Sequence, residues 1–322
     1  MNAAPPKISV IVPIFGNAGD LPKLIAALRA QTLPPHEIIL VDPSPRPVEA
    51  APDGARLIRN PQNLSLNSDY NLGAAHATGD FILNMQQDCV PEDVRALEKM
   101  FSQFTPERVT VVAQVKLPPE HFATYNFWAQ VLMARWVGTV RQGVSGKFDL
   151  HRRAIWDAIG GYNRTRFHRG GEDMDAFLRL SAHGEVFISD VAVVHYHPMS
   201  PRTTWRDVLT KNTRLAGTFG ELFRVWGAQL RKNPYAGHWY HHIAKYLYVL
   251  VPLLVLSPFV SWKLTLALGI IIFIGSNLSE LAPWKIPSWK RVWLLLFNPI
   301  SFLACFVATG LGFLRQPYKG KS

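Results

Sequence analysis

The last third of the chain limits what the whole can be. Residues 243–278 are almost unbroken apolar sequence, interrupted by Pro252, by Ser257 and Pro258, and by Trp262 and Lys263, and a second apolar run covers 292–314. A helix needs about 20 apolar residues to cross a bilayer. The second run fits one crossing, whereas the first is too long for one and short for two. Two short helices breaking near 258–263 make three spans, and one kinked helix makes two. The basic loop WKIPSWKR favours three, because it then lies on the cytoplasmic side with the main domain. The basic tail, 315–321, favours two. A buried helical hairpin of a soluble protein fits these lengths poorly.

Residues 7–198 have another character. The short runs ISVIVPIF, EIILVD and DFILNM alternate with the helical patterns LPKLIAALRAQ and SDYNLGAAHA. Strands alternating with helices argue for βαβ units. Strands that are apolar throughout belong to a sheet covered on both faces. The expectation is an α/β domain with a Rossmann-like, mostly parallel sheet flanked by helices. Ligands of such sheets gather beyond the carboxyl ends of the strands, which here are the loops at Phe15, Asp42 and Gln86.

Between these zones lies TTWRDVLTKNTRLAGTFGELFRVWGAQLRK, in which Trp205, Val208, Leu209, Leu215, Phe219 and Leu222 recur at helical spacing. Arg202, Arg206, Lys211, Arg214, Arg224, Arg231 and Lys232 flank that stripe. A helix in the headgroup layer, with its basic side toward anionic lipid, has this pattern, and so has an amphipathic helix packed on the domain. The formal charge of +11 calls for an anionic partner. Nucleic acid is excluded as that partner, since the basic residues cluster beside the apolar runs and no nucleic-acid-binding motif is present. Only Cys89 and Cys305 occur, too few for a disulfide framework or a cysteine-based zinc site. The opening MNAAPPKISVIVPIF does not read as a signal peptide. The chain divides into 1–198, 199–242 and 243–322.

Four places could carry chemistry. Asp42 ends a strand, where it can accept from a base N–H or cap the loop before Pro43. Asp88, in MQQDCVPED, can hold Mg2+ or Mn2+, which often take only one or two protein oxygens; it can equally start the next helix. In RGGEDMDAFLRL the acids Glu172, Asp173 and Asp175 load a first helical turn, as the helix dipole favours, and one of them can serve as a general base. His195 and His197 end a strand two residues apart, and so share a face; a neutral imidazole there can complete a metal shell.

In this order, VIVPIF, EIILVD, NLGAAHATGDFILNMQQD, KFDLHRRAIWDAIGGYN, GGEDMDAFLRL and VVHYH resemble a family 2 glycosyltransferase of the GT-A fold. The resemblance covers roughly 7–198. It implies a donor pocket of Pro13, Phe15, Asp42, Gln86 and Asp88, with Phe15 and Asp42 on the nucleotide base. Asp88 and His195 would hold the metal, Asp173 would deprotonate the acceptor hydroxyl, and Glu172 would position it. The activity implied is inverting transfer from a nucleotide sugar to a lipid-linked or glycan acceptor, at the inner membrane with the domain on its cytoplasmic side. Two positions depart from the family pattern. Gln86 stands where the first acid of Asp-x-Asp is usual, which predicts weaker metal affinity, and Pro43 follows Asp42 where relatives often carry another acid. A non-catalytic protein that binds a nucleotide sugar or a partner is the alternative reading of Gln86.

Overall fold

The computed structural model describes residues 5–15, 21–46, 48, 50–52, 54–62, 65–140, 143–167, 170–232 and 247–315. Arg169, the first residues of the apolar run (243–246) and most of the basic tail (316–321) lie outside them, as do the side chains of Arg231 and Lys232.

One sheet organises the first two hundred residues. Strands β1 (Ile8–Pro13), β2 (Glu37–Asp42), β3 (Arg56–Arg59) and β4 (Phe81–Met85) pair in parallel in the order β3-β2-β1-β4. Then come β5 (Cys89–Pro91), β6 (Arg108–Leu117), β7 (Gly138–Val140), β8 (Phe148–Arg152) and β9 (Glu185–His195). The sheet continues β4-β8-β6-β9-β5, with β7 on β6. The sheet is mixed, because β8 runs antiparallel between β4 and β6, and β5 and β7 are short antiparallel additions. The parallel part holds the sequence-readable strands, and β6 and β9 form the remaining parallel pair.

Alternation in the buried strands supplies both cores. Val10 and Val12 face Leu24, Leu28 and Leu97, while Ile11, Ile39 and Val41 face Tyr70, Ala74 and Phe177 on the other side. Covered on both faces, these strands need no polar stripe. The helices that do the covering begin where their sequences favour it. Ser65 caps Leu66–Ala75 by accepting the Ser68 amide, and three acids fill the first turn of Glu172–Ser181.

The C-terminal part is helical. Trp205–Trp226 opens with a capping box of Thr204 and Asp207 and lies along Leu294–Leu314. The approach is close enough that a Cβ on Gly220 would stand 2.0 Å from the Thr309 carbonyl oxygen, and one on Gly312 1.8 Å from that of Gly217. Small residues at a helix crossing permit such contact. The same helix leaves Trp205, Leu215 and Phe223 exposed and buries Val208, Thr218 and Leu222, so it has both a protein-facing and an outward apolar surface.

Two helical stretches among the described residues, Trp262–Ser279 and Trp289–Leu314, are long and apolar enough to cross a membrane. The first apolar run does break, at the turn Ser257–Phe259, and among the described residues the helical stretch that ends there, Leu250–Phe259, is shorter than a span. Only 28% and 22% of the two long windows are buried within the chain, which disfavours a buried hairpin.

Candidate active site

The carboxyl edge of the parallel strands carries three loops. Pro13 is buried at the end of β1, and Phe15, two residues on, is 60% exposed. Gln87 ties this loop to the one after β4. Its Oε1 accepts the Phe15 amide at 2.9 Å, and its Nε2 donates to the Phe15 carbonyl at 3.1 Å. Asp42 is buried, with its carboxylate turned into its own loop. The amides of Ser44 and Val48 donate to its two oxygens at 2.8 Å each, and Arg59 Nη1 lies 2.8 Å from Oδ2. Burial would raise its pKa, but these hydrogen bonds and the Arg59 charge hold it below the ordinary carboxylate value. The carboxylate therefore shapes the loop beside Phe15.

A second group forms where the β4 loop meets the end of β9. The Cys89 amide donates to the Gln86 carbonyl, closing a tight turn that presents Asp88. Strand β5 then pairs antiparallel with β9 so that Cys89 stands opposite His195. His195 Nε2 comes to 3.2 Å of Asp88 Oδ2, and His197 Nδ1 to 3.7 Å of the same oxygen. The imidazole centroids are 5.0 Å apart, so the two histidines do share a side. Burial opposes ionisation of Asp88, yet its hydrogen bonds and charge interactions with His195 and His197 keep it far below the usual range. Burial also lowers His195, favouring the neutral imidazole that a metal requires.

Ligand atoms of Asp88, Cys89 and His195 all lie within 4.8 Å of one another. Burial pushes the Cys89 thiol well up, so it stays protonated and suits a hard cation poorly. One carboxylate and one neutral imidazole fit Mg2+ or Mn2+ in a shell completed by water and phosphate. The half-buried Gln86 is adjacent.

The third group is the carboxylate pair. Gly171 caps the Glu172–Ser181 helix with φ 81°, which favours glycine, and a Cβ there would strike Thr218 Cγ2 at 2.4 Å. Glu172 and Asp173 follow, and the Met174 amide donates to Asp173 Oδ1 at 2.8 Å. Burial first, and the neighbouring Asp173 second, push Glu172 up to about 7. Burial raises Asp173 as well, against the opposing pull of the Met174 amide and Lys147. Asp175 is set apart from the pair. It is buried, bridged by Arg179 at 2.7 Å, and accepts Trp226 Nε1 at 3.0 Å, so it fastens the helix to Trp205–Trp226.

Three contributors escape a reading of motifs. Lys147 precedes Phe148, which pairs with Met85 at the end of β4, and its charge acts on both His195 and Asp173. Asp149 shapes the loop carrying it, accepting the Ser145 and Gly146 amides at 2.6 Å each on a buried oxygen. Burial pushes Asp149 up to about 6. An acid between the apolar Phe148 and Leu150 of the strand FDLHR was the available sign. Gln87 left none, because its role is contact with a backbone 72 residues away.

A mixed sheet with flanking helices, and polar loops gathered at one edge, is the architecture of the GT-A fold. Residues 9–156 match the model of Glycosyl transferase family 2. The chain is 24% identical over 216 residues to an O-antigen chain rhamnosyltransferase of Salmonella anatum, covering 61% of this chain and 68% of the relative. A second O-antigen chain rhamnosyltransferase, from Salmonella typhimurium, is 22% identical over 220 residues with the same coverage of both chains. In structure the chain is similar to a mannosyltransferase of Pyrobaculum calidifontis solved with GDP-Man and Mn2+. The TM-score is 0.52 at 15% identity, over 97% of this chain and 90% of that one. These matches support a family 2 glycosyltransferase domain in residues 9–156, on the GT-A fold.

Proposed function

We propose that this chain is a membrane-bound, inverting glycosyltransferase that moves a sugar from a nucleoside-diphosphate sugar to a hydroxyl of a lipid-linked glycan. The observation that carries this reading is the gathering of Asp88 with His195, and of Glu172 with Asp173, around Lys147 at one sheet edge. In the reaction the acceptor oxygen bonds to the anomeric carbon as its proton passes to Asp173. The bond from that carbon to the diphosphate breaks, and its electron pair leaves with the nucleoside diphosphate. A single displacement inverts the anomeric centre. Glu172 orients the acceptor hydroxyl, and Lys147 lies where it can attract the departing diphosphate. Asp88 and His195 would hold Mg2+ or Mn2+, which when bound offsets charge on the leaving group. Phe15, exposed and held through its backbone by Gln87, offers a face for the base, and the Asp42 loop forms the wall beside it.

The two long apolar helices support anchoring at the inner membrane, with the domain on the cytoplasmic side and the basic helix near anionic lipid. The relatives' activity makes nucleotide-activated rhamnose the first donor to test, and the structural neighbour makes Mn2+ the first metal. Membranes carrying the chain, given labelled nucleotide sugars, are expected to pass label into the lipid extract with inverted configuration. Excess chelator is expected to stop this. Donor binding without turnover of any donor would favour the non-catalytic alternative.

A further inference from the structure

A cavity of about 330 Å³ opens between the domain and the apolar helices. This is at the lower end for small-molecule sites. Its walls include Asn212 and Leu215 of the Trp205–Trp226 helix, Arg135 of the turn Ala134–Trp136, and Ser301 and Phe302 of Leu294–Leu314. Asn212 Nδ2 donates to Ser301 Oγ at 3.2 Å, and with Ser276, Ser279 and Asn298 this makes a polar side to a cavity whose other side is apolar.

Helical spacing connects this cavity to the carboxylate pair. Asn212, Leu215 and Phe219 face the cavity. Thr218 and Leu222 form the neighbouring stripe, where methyls on Gly171 would meet them at 2.4 and 2.9 Å. Leu215 belongs to both, since a methyl on Gly170 would lie 3.6 Å from its Cδ2. The cavity thus adjoins the turn that presents Glu172 and Asp173.

Cations gather at this junction. Arg135 stands on the cavity wall, and Lys211 and Arg214 flank Asn212 on the same helix. Burial first, and then the charges of Arg214, Arg135 and Lys147, push Lys211 below the ordinary lysine value. Mutual repulsion of this kind is relieved by a ligand carrying more than one negative charge. Glu280 also lines the cavity and opposes such a ligand.

We propose that the cavity and its cationic rim hold the anchor of the acceptor, a lipid with a diphosphate head. The head lies among Arg135, Lys211 and Arg214, and the first carbons of the hydrocarbon lie against Leu215, Phe219 and Phe302. This rests on the lipid-linked acceptor of the preceding section, and it adds the residues that select it.

The test is binding to the full chain in phosphatidylcholine nanodiscs, with chelator present and no donor, so that the metal site does not contribute. Farnesyl diphosphate is the probe, beside inorganic pyrophosphate and farnesol. The expected result is that farnesyl diphosphate binds at least tenfold more tightly than either part. The pair R135A/K211A should weaken it about tenfold or more, Ser301→Phe should weaken it by filling the cavity, and Glu280→Gln should tighten it. The idea is overturned if these variants, with unchanged Tm, keep wild-type affinity. It is also overturned if pyrophosphate alone binds as well, which marks a free-anion site, or if farnesol does, which marks a greasy one. The two proposals fail separately. Binding that obeys these expectations in a chain with no sugar turnover removes the enzymatic reading alone, and turnover with binding indifferent to the substitutions removes the cavity assignment alone.

Discussion

Asp88 and Asp173 have been driven in opposite directions from the same carboxylate chemistry. Two histidines hold Asp88 ionised, as a cation ligand requires, while burial raises Asp173 and Glu172 toward the range where a base can accept a proton near neutrality. Asp173→Asn is therefore expected to lower kcat by about 10²- to 10⁴-fold with donor affinity retained; full activity in a folded variant would remove it as the base. The raised pair also sets a pH dependence. Turnover should climb with pH as the raised Asp173 ionises, Glu172 beside it doing so at about 7. Stability should move the other way. A carboxyl raised from 4.5 to about 7 binds more protons folded than unfolded across that window, so the native state loses stability as pH rises through it. Glu172→Gln is expected to flatten this loss in melts between pH 5 and 8, and an unchanged slope would place its origin elsewhere. At the metal group, Gln86→Asp is expected to lower the Mn2+ concentration for half-activity several-fold by adding an oxygen ligand; unchanged or weaker dependence counts against a metal at Asp88. Asp88, His195 and the acidic pair could be read from strand ends and a helix start. The orientation of Asp42 could not, because it is decided by Arg59, 17 residues away on β3.

Among the elements, the best-read ones were those whose burial pattern has a single explanation. The largely apolar β1, β2 and β4 read as strands inside a covered sheet, and they are buried there, Ser9 and Asn84 included. The antiparallel insertion of β8 was not legible, since a strand buried on both faces looks the same in either direction. The basic amphipathic helix was legible as a helix, but its partner was not. Its small residues meet those of a segment almost ninety positions later, and nothing local marks which of them will touch. That crossing yields a test at this scale. Gly312→Leu would drive a side chain into the Gly217 carbonyl, and overpacking of this kind costs about 1–3 kcal/mol or more. The expected outcome is a clearly lowered Tm in detergent and reduced acceptor transfer. Gly310→Leu, where a Cβ meets nothing within 4 Å, should change neither.

At the scale of the whole molecule, the helix Trp205–Trp226 links the candidate site to the long apolar helices. One side covers Gly171 and bonds through Trp226 to Asp175 on the helix Glu172–Ser181, and the other lies along Leu294–Leu314. The apolar helices are therefore more than a tether, because removing them strips the cover from a helix whose other face orders the acidic pair. A chain ended at residue 232 would expose Val208, the Gly217–Gly220 contact and the wall of the cavity. Such apolar surface favours association over solubility. That truncated chain is expected to pellet or bind vesicles without detergent, and to melt at a lower temperature than the full protein. Spanning by the two long apolar helices predicts that the full chain stays with membranes through high salt, which screens its basic surface, and leaves only in detergent. Release of the full chain by salt alone would reduce the membrane contact to its +11 charge and overturn the spanning role of both helices.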